Sequence, residues 1–150
     1  MLYSEKLKIF TAAHPCKCVI VDGAQYRYIL DGKDTGKTLV FLNGGMNTLE
    51  MWMDYVDGLS DDFRVLLFDY PQELRTNQEL VAGMHAFFRK LGIQSPIFVG
   101  ASDGGMVAQI YVQKYPGEMI CTPKIGRFLT FCSISSGQPI FKPMEVMRER

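Results

Sequence analysis

Ser102 is the residue with the clearest potential for chemistry. It lies in the run GASDGG, which begins at Gly100, between an apolar stretch and a segment with helical periodicity. This is the G-x-S-x-G pattern in its required setting, a strand that turns abruptly into a helix. Such a turn strains the serine backbone and needs near-absent side chains two residues to either side. We therefore predict that Ser102 is a nucleophile at the carboxyl edge of a sheet; the alternative is a glycine-rich connection without chemistry.

A second motif, the run NGGM that begins at Asn43, follows an earlier apolar stretch. Acyl transfer builds negative charge on a carbonyl oxygen, and two fixed backbone N–H groups can hold that charge. One donor would be the N–H of Asp103, directly after the serine. The other would be that of Gly45, with Met46 as the second choice. A plain β-turn is the alternative, because Asn-Gly also favours turns.

The elements around these motifs alternate between short apolar runs and amphipathic segments. Continuous apolar runs are typical of strands buried on both faces, and apolar residues at three- and four-residue spacing indicate helices. The runs predict strands at Thr38–Leu42, Arg64–Asp69, Ile97–Gly100 and Phe128–Cys132. Helices are expected from Leu49, from Asn77 and from Gly104, the last with Met106 facing inward. The fold class is therefore α/β, with a mainly parallel sheet flanked by helices.

Upstream of these elements, β-rich residues flank Asp22-Gly23, which predicts an antiparallel hairpin at the N-terminal side of the sheet. With the hairpin as one edge, the expected strand order places Arg64–Asp69 next, then Thr38–Leu42, then Ile97–Gly100. Phe128–Cys132 would lie outermost.

These motifs together resemble the α/β-hydrolase fold family, in its serine-hydrolase branch. The similarity covers about residues 17–120, so residues 1–150 look like one partial domain, the truncated N-terminal half of such an enzyme. The resemblance implies ester or other acyl hydrolysis of a small-molecule substrate. Many members have a histidine where Asn43 stands. The run DYPQ at Asp69 replaces a more usual Asp-x-Arg-Gly, and maspardin-like members share this Tyr-Pro version.

The resemblance also implies a catalytic acid and a histidine, in that order, beyond the serine. His14 and His85 both precede Ser102, and no residue matches either missing role. A histidine on a helix flank, such as His85, is more often a packing residue than a base. Glu145 and Glu149 fall in a charged segment typical of a solvated helix. We expect an incomplete hydrolase with little or no turnover alone; the alternative is a non-catalytic binding or interaction module on the same fold.

Composition and local patterns argue against several other functions. Hydrophobic residues make up 47% of the chain, and 16 basic residues balance 16 acidic ones, which gives no footprint for nucleic acid. The charged start and the lack of a long apolar stretch predict neither a signal peptide nor a membrane span, and hence a cytoplasmic protein. The glycines at Gly32 and Gly36 stand one residue too close for a phosphate loop. Cys16 and Cys18 lack a second pair at metal-ligand spacing, so neither metal nor cofactor is expected.

One partner is expected from the partial fold itself. Whichever strand is outermost, Ile97–Gly100 or Phe128–Cys132, a parallel apolar edge would lack a neighbour. Parallel sheets are normally covered on both faces, and open apolar edges pair with other chains. We therefore expect self-association through this exposed sheet edge.

Overall fold

The computed structural model describes residues 2–34, 37–45, 48–94 and 96–118, together with the backbone of three short strands between 130 and 139. In chain order the elements are α1 (Tyr3–Ala13), β1 (Lys17–Val21), β2 (Ala24–Gly32), β3 (Thr38–Leu42), a 3-10 turn (Leu49–Trp52), α2 (Met53–Leu59), β4 (Arg64–Phe68), α3 (Asn77–Lys90), β5 (Pro96–Gly100), α4 (Asp103–Lys114), β6 (Thr130–Cys132), β7 (Ile134–Ser135) and β8 (Gln138–Pro139).

One sheet carries the fold, with the strand order β1-β2-β4-β3-β5-β6. The three central strands, β4, β3 and β5, are parallel, because a helix returns the chain before each new strand. The β1–β2 hairpin is antiparallel, and β2 also pairs antiparallel with β4. The predicted α/β class, the hairpin and the order of the strands are confirmed.

The outermost strand β6 lies beside β5 as expected, but its direction is opposite to the expected one. Thr130 is paired with Gly100 and Cys132 with Phe98, so the two strands are antiparallel. The expectation of a parallel edge strand is therefore wrong. A strand–helix–strand crossover needs the new strand to begin at the edge where the helix ends. β6 instead begins opposite Gly100, at the edge where α4 starts.

The core has two layers, one on each face of the sheet. Successive residues of a strand point to opposite faces, so β3 sends Val40 and Leu42 to one side and Leu39 and Phe41 to the other. Helices α3 and α4 cover the first face, whereas α1, the 3-10 turn and α2 cover the second. All five residues of β3 are buried, which explains the continuous apolar run from Leu39 to Leu42.

Helix α3 has the boundaries that its sequence predicts. Thr76 and Glu79 form a capping box at its start, and Gly92 adopts a φ of +70° just after its end. In α4, by contrast, Met106 is not inward-facing as expected, because it is 46% exposed. The buried face of α4 is formed by Val107, Ala108 and Tyr111.

Helix α1 has no counterpart among the sequence-based predictions. Only Phe10 is buried and Leu7 partly buried, while Leu2, Tyr3 and Ile9 are exposed, so the apolar periodicity is weak. Of the helices that the structure describes, none combines the length and apolar character needed to cross a bilayer.

Tyr26, at the centre of the first layer, buries a hydroxyl that has no hydrogen-bond partner among the described residues. Its ring is 0% exposed and stacks on Phe87 at 4.2 Å. A Cβ on Gly83 would lie 2.5 Å from the hydroxyl, so helix α3 leaves little space there. An unsatisfied buried hydroxyl costs about 1–3 kcal/mol.

We therefore predict that Tyr26→Phe raises the free energy of unfolding by about 1 kcal/mol, since it removes the orphan hydroxyl and keeps the stacked ring. Tyr26→Leu is the matched control and should lower it by about 1–3 kcal/mol, because the aromatic contacts are lost. Urea unfolding followed by the fluorescence of Trp52, the one tryptophan of the sequence, measures both. A Tyr26→Phe variant that is clearly less stable would show that the hydroxyl has a partner.

Candidate functional site

The turn between β5 and α4 has the strained geometry that its sequence predicts. Ser102 has a φ of 50° and a ψ of −114°, and it is exposed. Positive φ is costly for a residue with a Cβ, so the surrounding structure must impose it. A Cβ on Gly100 would lie 2.7 Å from the carbonyl carbon of Gly104, which is too close for any side chain. The predicted strain at Ser102 is thus confirmed, together with the need for glycine two residues before it.

Gly104 has an even stricter requirement, because it lies against the end of β3. A Cβ on Gly104 would come within 2.3 Å of the carbonyl oxygen of Leu42. The N–H of Ala101 donates to that same oxygen at 3.2 Å. The first turn of α4 therefore packs directly on backbone, and this contact brings the loop after β3 next to the serine.

The loop after β3 faces Ser102 and Asp103. A Cβ on Gly44 would lie 3.2 Å from the Cβ of Ser102 and 2.7 Å from the carbonyl oxygen of Ala101. Gly45 has a φ of +49°, and a Cβ there would lie 4.0 Å from the Asp103 carboxylate. The structure thus brings together Ser102, Asp103 and Gly45, whereas Met46 lies outside the described residues. Their chemical roles remain proposals, which are taken up below.

Asn43 fixes the start of this loop from three sides. Its side-chain amide donates to the carbonyl oxygen of Phe68 at 2.9 Å, and its side-chain oxygen accepts from the indole N–H of Trp52 at 2.8 Å. Its backbone carbonyl accepts a hydrogen bond from the Tyr70 hydroxyl at 3.0 Å. Asn43 is 1% exposed, so both ends of its amide are satisfied in the interior. Asn43 therefore has a structural role here. The sequence pattern does not predict its hydrogen bond with Trp52.

A charged cluster holds the far end of the same loop. The Asp69 carboxylate accepts from the backbone N–H of Leu49 at 2.7 Å and from Arg27 Nε at 2.5 Å. The Arg27 guanidinium also binds both carboxylate oxygens of Glu50, at 2.7 and 3.0 Å. This fork-on-fork geometry is the stronger kind of ion pair. The loop is therefore tied to β2 and to the end of β4.

The electrostatics of the cluster match its geometry. The hydrogen bonds to Glu50 and Asp69 raise the pKa of Arg27 further above its usual value, against the effect of burial. Burial opposes the charge of Glu50, but the hydrogen bonds from Arg27, from the Thr48 side chain and from the backbone, together with the Arg27 charge, outweigh burial and lower the pKa of that carboxyl. Burial, with a smaller contribution from the negative charge of Asp103, raises the pKa of Tyr70. Tyr70 thus stays a neutral hydrogen-bond donor beside the turn.

His85 lies far from the serine. Its ring stacks on that of Tyr115 at 3.9 Å, and its Nε2 lies 3.0 Å from the Glu118 carboxylate without the alignment of a hydrogen bond. Tyr115 follows the last residue of α4, about 18 Å along the helix axis from Asp103. His85 is therefore a packing residue at the opposite end of α4, as its position on a helix flank predicts.

His14 lies where the parallel strands begin, whereas Ser102 lies where they end. Its ring nitrogens contact the carboxylates of Asp31 and Asp57, the latter at 3.0 Å. Asp31 pairs with Val65, near the start of β4, whereas Ser102 follows the end of β5. Neither histidine of the sequence is thus near the serine. Glu145 and Glu149 lie outside the described residues, and within the described part of the chain no group of three or more potential ligands is arranged to hold a metal ion.

The fold and the strained serine turn define a class, that of α/β proteins with a candidate nucleophile at the carboxyl edge of the sheet. Residues 37–122, more than half of the chain, match the family model of the alpha/beta hydrolase fold. The chain therefore belongs to the α/β-hydrolase fold family. A search among curated proteins finds no match.

Several solved structures share this fold. A membrane phospholipase A, described as a bacterial virulence factor, is 18% identical with a TM-score of 0.68, over 79% of this chain and 44% of its own. The carboxylesterase CesB of Bacillus subtilis is 19% identical with a TM-score of 0.64, over 77% and 45%. An epoxide hydrolase of Vigna radiata is 20% identical with a TM-score of 0.65, over 75% and 39%. The chain spans less than half the length of each of these proteins.

The contact between Gly104 and Leu42 yields a prediction about stability. We expect Gly104→Ala to lower the free energy of unfolding by about 2 kcal/mol or more, because the new methyl group meets backbone that cannot move aside. Gly58→Ala is the matched control, since its Cβ would meet nothing within 4 Å and lies inside helix α2. It should be neutral or stabilising by up to about 1 kcal/mol. Equal effects of the two substitutions on urea unfolding would contradict the packing argument.

Proposed function

We propose that Ser102 is the nucleophile of an acyl hydrolase and that the backbone N–H groups of Gly45 and Asp103 form its oxyanion hole. The observation that carries the proposal is the exposed serine at a φ of 50°, with the glycine loop after β3 directly beside it. The family of the chain supports hydrolysis in general. The substrate class we propose is a small ester or other acyl compound, with the reacting carbonyl between the two loops.

The chemistry would follow from these positions. The Ser102 oxygen attacks the carbonyl carbon, a new C–O bond forms, and the carbonyl oxygen takes the negative charge. Two backbone N–H donors stabilise that charge, and the loss of one such donor typically costs about 10²–10³ in rate. The serine proton must pass to a base at the same time. Asp103, an ionisable residue that follows the serine directly in the turn, is exposed. Both histidines are remote from the serine.

We therefore propose that the 150-residue chain has little or no turnover by itself. A serine hydroxyl without a base is a weak nucleophile, because almost none of it is ionised at neutral pH. The remote positions of His14 and His85 also favour the second candidate function, a non-catalytic binding or interaction module on the same fold.

Labelling and turnover together separate the two functions. We expect a fluorophosphonate probe to label the chain slowly at Ser102, and we expect hydrolysis of p-nitrophenyl acetate no faster than that by Ser102→Ala. Ser4→Ala, at an exposed serine of α1, is the matched control and should label like the original chain. Failure to label a folded sample would favour the binding module. Rapid hydrolysis that disappears in Ser102→Ala would instead show that a base acts on the serine.

We also propose that the chain associates with itself at the edge of the sheet formed by β5 and β6. The outermost strand β6 pairs with only three residues of β5, Phe98 to Gly100, and the unpaired backbone groups of such an edge are a template for pairing with another chain. Analytical ultracentrifugation should show dimers or larger species that increase with protein concentration. A monomer over the whole concentration range would contradict this prediction.

A further inference from the structure

Among the strands that the structure describes, β1 is the outermost one on the other side of the sheet, so no described strand pairs with its outer edge. Asp22 and Gly23 both have positive φ, 49° and 83°, which defines a two-residue turn between β1 and β2. Val21 and Ala24 close this turn, so hydrogen bonds to β2 alternate from that pair onward. The N–H and C=O groups of Cys18 and Ile20 therefore point away from β2, toward the free edge.

One contact in the structure bears out this direction. The Lys90 ammonium, at the end of α3, donates to the backbone carbonyl of Ile20 at 3.3 Å. Within the described part of the chain, the outward N–H and C=O of Cys18 have no hydrogen-bond partner. The Ile20 side chain is 64% exposed. The edge thus offers main-chain donors and acceptors beside an uncovered apolar side chain.

A groove runs alongside this edge, between the end of β1 and the last turns of α3. One wall is formed by Ile20 and Val21 at the end of β1 and by Asp22 in the turn, and the other by His85, Ala86, Arg89 and Lys90 on the helix. Arg89 and Lys90 are both exposed, so the helix wall carries two cations, and Asp22 is the one carboxylate of the lining. His85 contributes a ring that contacts Glu118 and Tyr115.

We propose that this groove, which we call the β1–α3 groove, binds an extended peptide with acidic side chains at alternate positions. The peptide adds to the sheet as a further strand, and its backbone pairs with Cys18 and Ile20. Its alternate side chains point to opposite faces. Carboxylates on one face meet Arg89 and Lys90, while apolar side chains on the other face pack on Ile20.

Lys90 gives the groove a defined change on binding. In the free protein its ammonium covers the Ile20 carbonyl, in the way that lysines protect sheet edges from accidental pairing. A peptide N–H would replace the ammonium at that carbonyl, and the Lys90 ammonium could then pair with a peptide carboxylate. A second copy of this chain fits the same edge less well, because both copies would bring Arg89 and Lys90 to one interface and like charges repel.

The experiment uses fluorescence anisotropy of the intact chain with a short acetylated peptide of alternating Val and Glu. We expect saturable binding, at least about tenfold weaker when Lys replaces Glu in the peptide. N-methylation of alternate backbone amides on the pairing edge should weaken it by a similar factor, since strand hydrogen bonds are then lost. Methylation of the opposite edge is the matched control and should have little effect.

Protein variants test the two walls of the groove separately. Lys90→Glu and Arg89→Glu should each weaken binding about tenfold. Lys33→Glu is the matched control, because it makes the same charge change beyond the far end of β2. Cys18→Pro removes an outward N–H and is tolerated at a free edge, whereas Cys18→Val keeps that N–H. Cys18→Pro should abolish binding and Cys18→Val should preserve it.

Three results would overturn the proposal. The first is no binding of the acidic peptide at millimolar concentration, in which case Lys90 would only protect the sheet edge from pairing. The second is equal binding of the Lys-substituted or pairing-edge-methylated peptides. The third is a dimer of the chain that Cys18→Pro dissociates, which would make a second copy the occupant. None of these results depends on Ser102, which lies across the sheet beside β3 and β5.

Discussion

The close approach of two backbones, at Gly104 and Leu42, is the constraint on which the site depends. Helix α4 can begin there only because Gly104 has no side chain, and a Cβ would come within 2.3 Å of the Leu42 carbonyl oxygen. The helix starts directly after the serine, and in this tight turn Ser102 adopts a φ of 50°. The same contact sets the loop after β3 beside the serine. The strained, exposed serine and the adjacent loop thus meet at one close contact between backbones.

The loop after β3 would not hold its position by packing alone, because it is rich in glycine and partly exposed. Polar side chains from three other elements fix its two ends. Asn43, at the start of the loop, is bonded to the end of β4 and to Trp52. Asp69, which follows β4, accepts a hydrogen bond from the backbone N–H of Leu49 at the other end of the loop. Arg27 completes the arrangement from β2 by binding both Asp69 and Glu50. Because Asn43 is buried and the charged groups are partly buried and paired with one another, removal of one partner would leave another unsatisfied.

The sequence predicts those parts of the molecule that local patterns determine. Periodicity gives the helix at Asn77–Lys90, continuous apolar runs give β3, β4 and β5, and glycine spacing gives the turn at Ser102. The polar contacts around the loop cannot be predicted in this way, because Arg27 and Glu50 are distant in sequence and meet only in the folded sheet. The direction of β6 is missed for a related reason. Its pairing depends on contacts between residues that are distant in sequence, and an apolar run of a few residues does not indicate whether the strand will pair parallel or antiparallel.

The position of Ser102 and its reactivity have separate physical origins. Its strained, exposed turn lies between Gly100 and Gly104, which pack closely on backbone, and this packing would serve the fold even if the hydroxyl never reacted. Reactivity requires a base for the proton, and the two histidines lie at the far end of α4 and at the opposite edge of the sheet. A strained serine turn is therefore an observation about position, whereas the acyl chemistry that we propose for Ser102 is a separate matter. The rate of that chemistry depends on a group that accepts the proton, and this is why labelling of Ser102 and turnover of an ester are distinct measurements for this chain.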